Sequence, residues 1–149
     1  LPESFGNLSN LRVLKMLKRP LFRRSESDAP GTSSEEPRFV IPKSFSNLVL
    51  LEELDARSCR IWGKLADDFE KLSSLKILKL GNNYFHRLPS SLEGLSNLRE
   101  LSLYDCRELV CVPPLPWNLE QLNLANCFAL ESISDLSKLE ILHDLNLTN

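Results

Sequence analysis

The segment Leu75-Lys-Ile-Leu-Lys-Leu-Gly-Asn-Asn83 decides the fold of this chain. Leu78 and Leu80 alternate with other residues, so the segment is predicted to be a short strand with one buried and one exposed face. The same frame, Leu-x-x-Leu-x-Leu-x-x-Asn with occasional replacements, recurs from one end of the chain to the other. The central leucines of its copies are Leu14, Leu54, Leu78, Leu101, Leu122 and Leu145.

The spacing of these copies indicates a repeat protein. Successive central leucines are separated by 40, 24, 23, 21 and 23 residues, and leucine-rich repeats have periods of roughly 20–29 residues. One unit is too small to bury its own leucines, so neighbours must stack and share a core. The sequence therefore predicts an α/β leucine-rich-repeat solenoid of about six repeats. Residues 1–149 would form one curved horseshoe segment without a second domain, with short parallel strands on the concave face and helical or extended returns on the convex face.

The returns between strands carry their own signals. In Ile41-Pro-Lys-Ser-Phe45 and Leu88-Pro-Ser-Ser-Leu92, proline ends the extended segment and the second residue after it, a serine, is a candidate helix N-cap. Asp67 or Asp68 is the candidate cap of another return. The run Pro113-Pro-Leu-Pro-Trp117 is too rich in proline for a helix and predicts an extended return. We expect Trp117 to pack against that return, the alternative being an exposed anchor.

One insertion interrupts the period. Residues 17–41 contain a long stretch with almost no apolar side chains, which predicts a disordered, solvated loop leaving the solenoid after the first strand. A tolerated surface insertion is the simplest interpretation, because the entropy of loop closure grows slowly with length. The alternatives are a contact arm or a basic signal formed by Lys18, Arg19, Arg23 and Arg24.

Composition and residue spacing exclude several functions. The chain has 149 residues and a formal net charge of -2 at pH 7, whereas a general nucleic-acid binder needs an excess of basic residues. No apolar run is long enough to cross a bilayer. His86 and His143 lie in different repeats, and no catalytic set or glycine-rich phosphate loop can be assembled. We therefore predict neither an enzyme nor a cofactor, and no nucleic acid, membrane or small-molecule substrate as partner.

The cysteines follow the repeat. Cys59, Cys106 and Cys127 occupy the position that Asn83 holds in its own repeat. A small polar group at that corner can bond to backbone groups of adjacent coils. Only Cys111 is out of register, and no pair has the close spacing of zinc ligands. The pattern predicts structural thiols in a reducing compartment and no metal site.

Stacked repeats align the outward-facing strand residues in three columns on the concave face. The first column is Val13, Glu53, Ile77, Glu100, Gln121 and Asp144; the second is Lys15, Asp55, Lys79, Ser102, Asn123 and Asn146; the third is Leu17, Arg57, Gly81, Tyr104, Ala125 and Thr148. Arginine and tyrosine often anchor protein interfaces. The predicted protein-binding surface is Glu53, Asp55, Arg57, Ile77, Lys79, Glu100, Ser102, Tyr104, Gln121 and Asn123, the alternative being an ordinary solvated face.

Three passages resemble the repeat region of plant intracellular immune receptors of the TIR-NB-LRR class. They are residues 69–83, residues 88–95 and, most specifically, the proline-rich coil of residues 112–127 with the Leu130–Leu136 segment after it. Cysteine in the asparagine position is also similar to that class. The resemblance implies a cytoplasmic or nuclear protein whose repeats recognise a pathogen effector, restrain the receptor's nucleotide-binding module, or both. Any NAD-cleaving activity of the class would lie outside this chain.

Two further classes of protein compete with this interpretation. A structural or scaffolding intracellular leucine-rich-repeat protein with no immune role would have more uniform repeats and less proline in its returns. A secreted receptor ectodomain would favour Leu-x-Gly-x-Ile-Pro returns, which only residues 61–65 approach.

Overall fold

The computed structural model describes residues 3–16, 39–65 and 67–149. Within them, short parallel strands stack into a solenoid, and the largest sheet has six strands in the order β1-β2-β4-β6-β8-β10. These strands are β1 (Val13–Lys15), β2 (Glu53–Asp55), β4 (Ile77–Lys79), β6 (Glu100–Ser102), β8 (Gln121–Asn123) and β10 (Asp144–Asn146). The predicted leucine-rich-repeat solenoid is confirmed, with six parallel strands in its largest sheet.

The core runs through the stack as a continuous column of leucines. The central leucine of each strand is paired in register with that of the next strand, from Leu14 to Leu145. Inner leucines such as Leu78 and Leu101 are fully buried. Leu145 on β10 is exposed, because within this chain it has a neighbouring strand on one side only.

A second parallel sheet is formed by the segments that follow β2, β4, β6 and β8 after a corner. Its strands, in the order β3-β5-β7-β9, are β3 (Trp62–Lys64), β5 (Tyr84–Arg87), β7 (Cys111–Val112) and β9 (Ser132–Ile133). The corners are turned by residues with left-handed backbone conformation, Ser58, Asn82, Asp105 and Asn126. Short polar side chains, asparagine and aspartate above all, tolerate this conformation. The sequence did not predict this sheet, since strands of two to four residues show no readable alternation.

The returns contain 3₁₀ helices, and the predicted serine N-caps are wrong. The helices are Glu3–Asn7, Lys43–Asn47, Phe69–Lys71 and Ser90–Gly94. Pro42 and Pro89 themselves hold the N-cap positions. Ser44 and Ser91 therefore lie inside the helices, where their hydroxyls are buried without a hydrogen-bond partner among the residues described. Asp68 does hold the N-cap position before Phe69 but makes no side-chain capping bond.

The proline-rich return is extended, as predicted, but Trp117 does not pack against it. The segment between β7 and β8 contains only a turn, closed by the bond from the Leu119 N–H to the Pro116 carbonyl at 3.1 Å. Leu115, just before the turn, and Asn118, within it, are buried. Trp117 lies between them and points outward, with 64% of its surface exposed.

Most of the predicted loop of residues 17–41 lies outside the described residues. Residues 17–38 do not belong to the described ranges, so the predicted disorder and the basic arm stay predictions. The last three residues of the predicted loop belong to the solenoid instead. Phe39 forms a parallel bridge with Ile61, and Ile41 is buried in the core.

Candidate protein-binding surface

Strand register brings the predicted residues together on one face. The first two columns are paired residue by residue, for example Glu53 with Ile77 and Asp55 with Lys79. The third column continues the ladder beyond the strands, since the Asn82 N–H donates to the Tyr104 carbonyl at 2.7 Å. The predicted alignment of the columns is confirmed, apart from Leu17, which lies outside the described residues.

Exposure along this face is uneven, which corrects the expectation of a uniformly exposed strand face. Asp55 and Ser102 are buried, with 3% and 8% of their surfaces exposed. Gln121 is exposed. The remaining predicted residues, Glu53, Arg57, Ile77, Lys79, Glu100, Tyr104 and Asn123, are half-buried. Close packing between neighbouring columns covers the shorter side chains, because adjacent strands lie only about 4.8 Å apart.

Charges on the face are paired diagonally across strands. The Lys15 Nζ lies 3.1 Å from the Glu53 Oε1, and the Lys79 Nζ lies 3.1 Å from the Glu100 Oε1. Each pair joins the second column of one strand to the first column of the next strand. Much of the charge predicted to meet a partner is therefore already matched within the face.

The most strongly held pair is Asp55 with Arg57. The Arg57 Nε and Nη2 donate to the two carboxylate oxygens of Asp55 at 2.9 and 2.7 Å. This two-point contact lowers the pKa of Asp55 and raises that of Arg57. Asp55 is buried while Arg57 is half-buried, so the pair fixes the guanidinium on the surface.

The second column also has a structural role that the sequence did not reveal. The Asp55 Oδ1 accepts the Arg57 backbone N–H at 3.3 Å, and the Asn123 Oδ1 accepts the Ala125 N–H at 3.0 Å. Asn146 makes the same contact with Thr148 at 3.1 Å. The side chains of aspartate and asparagine thus cap the strand ends by accepting a hydrogen bond from the backbone N–H two residues later.

Gly81 makes room for Tyr104. A Cβ atom at Gly81 would lie 2.5 Å from two ring carbons of Tyr104 and 2.9 Å from its carbonyl oxygen. The ring therefore crosses the Gly81 backbone towards Arg57, and Tyr104 adds, after Asp55, to the raised pKa of that guanidinium. One unit across three repeats is thus formed by Arg57, Gly81 and Tyr104. We call these three residues and Asp55 the arginine–tyrosine cluster.

Gly81→Ala tests this packing. We expect a loss of about 1–3 kcal/mol in the free energy of unfolding, because the added methyl group must displace the Tyr104 ring and its carbonyl. Urea unfolding followed by circular dichroism measures the loss. Gly94→Ala is the matched control, since its Cβ would meet only the Glu70 Cβ at 3.1 Å on an exposed return. An equal effect of the two substitutions would contradict the proposed packing.

A row of charged residues that lies one position before the first column was not identified in the sequence analysis. The Lys76 Nζ lies 2.6 Å from the Glu52 Oε2, and Arg12 pairs with the other carboxylate oxygen of Glu52. These contacts with Lys76 and Arg12 lower the pKa of Glu52. Further along, the Arg99 Nη1 lies 3.2 Å from the Glu120 Oε1. A signal for this row was available, because the residue after the first leucine of every repeat is charged or histidine.

The cysteines behave as the sequence predicted. The Cys106 Sγ lies 3.4 Å from the Leu80 carbonyl, and the Cys127 Sγ lies 3.2 Å from the Leu103 carbonyl, each one repeat earlier in the chain. Burial raises the pKa of Cys106 to about 12 and also raises that of Cys127. Both thiols therefore stay protonated and donate to the backbone of the preceding coil.

Potential metal-ligating side chains do not gather in the ranges described. No group of three or more His, Cys, Asp or Glu side chains there could hold a metal ion. The His86 Nδ1 lies 3.3 Å from the Glu108 Oε2, and the His143 Nε2 lies 3.9 Å from the Glu120 Oε2. The two exposed histidines thus meet glutamates in different repeats. Among the same residues, no helix is long and apolar enough to cross a membrane.

Sequence and structure comparisons agree on the fold. Residues 50–72 and 74–95 match the Leucine Rich Repeat model. The chain has the leucine-rich-repeat fold. The ectodomain of the Arabidopsis thaliana membrane receptor kinase GASSHO1/SCHENGEN3 superposes with a TM-score of 0.68 at 25% identity, covering 99% of this chain and 16% of that one. The leucine-rich-repeat fold is a protein-interaction module and not an enzyme.

Curated relatives of the chain include plant disease resistance proteins. TMV resistance protein N of Nicotiana glutinosa is 34% identical over 158 residues, which cover 99% of this chain and 14% of that protein. Disease resistance protein RPP2B of Arabidopsis thaliana is 40% identical over 127 residues, or 85% of this chain and 9% of that protein. The resemblance to plant immune receptors is confirmed. The chain spans less than a sixth of the length of either relative.

Proposed function

We propose that the concave face of this leucine-rich-repeat chain binds a protein, either a pathogen effector or the nucleotide-binding module of the same receptor. The receptor would act inside the cell, in the cytoplasm, the nucleus or both. The observation that supports this proposal most is the arginine–tyrosine cluster of Asp55, Arg57, Gly81 and Tyr104 on that face.

The cluster has the chemistry and rigidity of an interface anchor. Arginine and tyrosine supply much of the binding energy in protein interfaces. Here both are held before a partner arrives, Arg57 by the buried Asp55 and Tyr104 by its packing on Gly81. Side chains already ordered lose less conformational entropy on binding. Six strands about 4.8 Å apart span about 24 Å, which is enough for part of an ordinary interface.

Relatives and structural neighbours support a protein as the partner. The GASSHO1/SCHENGEN3 ectodomain was solved in complex with CASPARIAN STRIP INTEGRITY FACTOR 2. The curated relatives are named as resistance proteins. If the concave face contacts the nucleotide-binding module in the resting receptor, an effector that binds the same face shifts the receptor towards its active state. A ligand shifts such an equilibrium only by its difference in affinity for the two states.

Tyr104→Ala and Gln121→Arg in the full-length receptor test this function. We expect Tyr104→Ala to weaken partner binding by about 2 kcal/mol, or roughly 30-fold, because it removes the aromatic anchor. The readout is cell death in leaf tissue with and without a matched pathogen effector, at equal protein levels. Loss of only the effector-triggered response identifies a recognition surface, and death without effector identifies a restraining one.

Tyr84→Ala is the matched control. Tyr84 is an exposed tyrosine on β5 of the second sheet, so its removal leaves the concave face intact. Unchanged responses for both concave-face variants would refute the proposed function. The same would follow if Tyr84→Ala abolished the response as strongly as Tyr104→Ala.

A further inference from the structure

The C-terminal half of the concave face holds a polar depression separate from the arginine–tyrosine cluster. It lies across β6, β8 and β10 and has a volume of about 120 Å³. Its polar lining consists of Glu100, Ser102, Gln121, Asn123, Asp144 and Asn146. Two carboxylates, two amides at strand ends, a glutamine and a hydroxyl thus surround one small volume.

Ser102 is the first sign that the depression takes a ligand. Its surface is only 8% exposed, and that side chain lines the depression. Its hydroxyl takes part in none of the side-chain hydrogen bonds among residues 3–16, 39–65 and 67–149, yet it is not one of the fully enclosed, unpartnered atoms, which are at Ser44, Ser91 and Asn118. The hydroxyl therefore opens into the depression, where a ligand donor can reach it.

The two carboxylates are the second sign. Asp144 makes no ion pair with any residue that the structure describes. Glu100 uses Oε1 for Lys79 at 3.1 Å, and its Oε2 is not engaged in that pair. Glu100 and Asp144 belong to the first column on β6 and β10, with Gln121 of β8 between them. Because two strand spacings lie between them, the Cα atoms of Glu100 and Asp144 are about 10 Å apart.

The amides contribute less acceptor capacity. The Asn123 Oδ1 already accepts the Ala125 N–H, and the Asn146 Oδ1 accepts both the N–H and the hydroxyl of Thr148. The acceptors left for a ligand are the carboxylates of Glu100 and Asp144, the Ser102 hydroxyl and the Gln121 carbonyl. This set favours a ligand group that is cationic and carries several donors.

We propose that this depression receives an arginine side chain of the protein partner, an inference that rests on the proposed function of the concave face. A guanidinium is planar and has five N–H donors, so it can bond to more than one of these acceptors at once. A lysine ammonium offers three donors from a single point and meets fewer of these acceptors. The partner would then meet two sites on this face, an aromatic anchor at Tyr104 and a basic side chain bound in the neighbouring depression.

Titration of the ¹⁵N-labelled 149-residue chain with Nα-acetylarginine amide, followed by NMR, tests the site. We expect saturable shifts in the backbone resonances of Ser102, Gln121 and Asp144. Nα-acetylcitrulline amide has almost the same shape without the charge and should bind about fivefold more weakly, as expected for loss of an exposed ion pair. Asp144→Asn should bring the affinity for the arginine amide down to that for the citrulline amide.

Glu93→Gln, which changes an exposed glutamate on a return, is the matched control and should leave the titration unchanged. Gln121→Lys places a cation in the depression and should abolish the arginine response even if Asp144→Asn perturbs folding. Equal binding of the two amides, or shifts confined to another face, would overturn the proposal. Such a result leaves the Tyr104→Ala test of the proposed function independent, since that variant lies outside the depression.

Discussion

Leu103→Asp is expected to unfold most of the chain. Leu103 is completely buried in the stack, so the substitution removes a core side chain and places a carboxylate where neither water nor a cation can reach it. The combined cost is about 5 kcal/mol or more, which is comparable to the total stability of an ordinary domain. Circular dichroism during urea unfolding, with gel filtration for compactness, measures the loss.

Leu147→Asp is the matched control for this prediction. Leu147 holds the same position in its repeat, but 45% of its surface is exposed in this chain. A carboxylate there keeps its water, so we expect the urea midpoint to stay close to that of the unaltered chain. Similar midpoints for the two aspartate variants would mean that burial within the stack is not what stabilises the solenoid.

Asn83→Ala is expected to cost about 3 kcal/mol, because it leaves at least two buried backbone groups without partners. The Asn83 Oδ1 accepts the Ile61 N–H at 2.9 Å, and its Nδ2 donates to the carbonyls of Ala56 and Leu80 at 2.9 and 2.7 Å. One side chain thus joins two adjacent coils at the corner. Unfolding in urea, monitored by circular dichroism, again gives the free energy.

Two variants separate this role from a general effect of losing an amide. Asn97→Ala removes a single exposed bond to the Ser73 carbonyl and should cost less than about 1 kcal/mol. Asn83→Cys should recover part of the loss, since Cys106 bonds to the preceding coil from the equivalent position. If Asn83→Cys were as unstable as Asn83→Ala, the cysteine and asparagine corners would not be equivalent.

The repeat frame and the strand columns were predictable for a simple reason. Alternation of leucine with polar residues assigns faces within a strand, and a constant period assigns neighbours between strands. Pairing of Glu53 with Ile77 and bonding of Cys106 to the preceding coil follow from position in the repeat alone. The serine caps failed because proline already fixes the extended residue before a 3₁₀ helix, which leaves Ser44 inside it.

The sequence by itself determined the leucine-rich-repeat stack, its parallel strands, the structural thiols and which strand residues share the face that we propose as the binding surface. Only the tertiary structure decided which members of that face are open. It buried Asp55 beneath Arg57, packed Tyr104 on Gly81 and placed Ser102 in the lining of the depression. The physical reason is distance: such contacts join side chains one or more repeats apart, and their geometry depends on how neighbouring coils are offset and how large each facing side chain is.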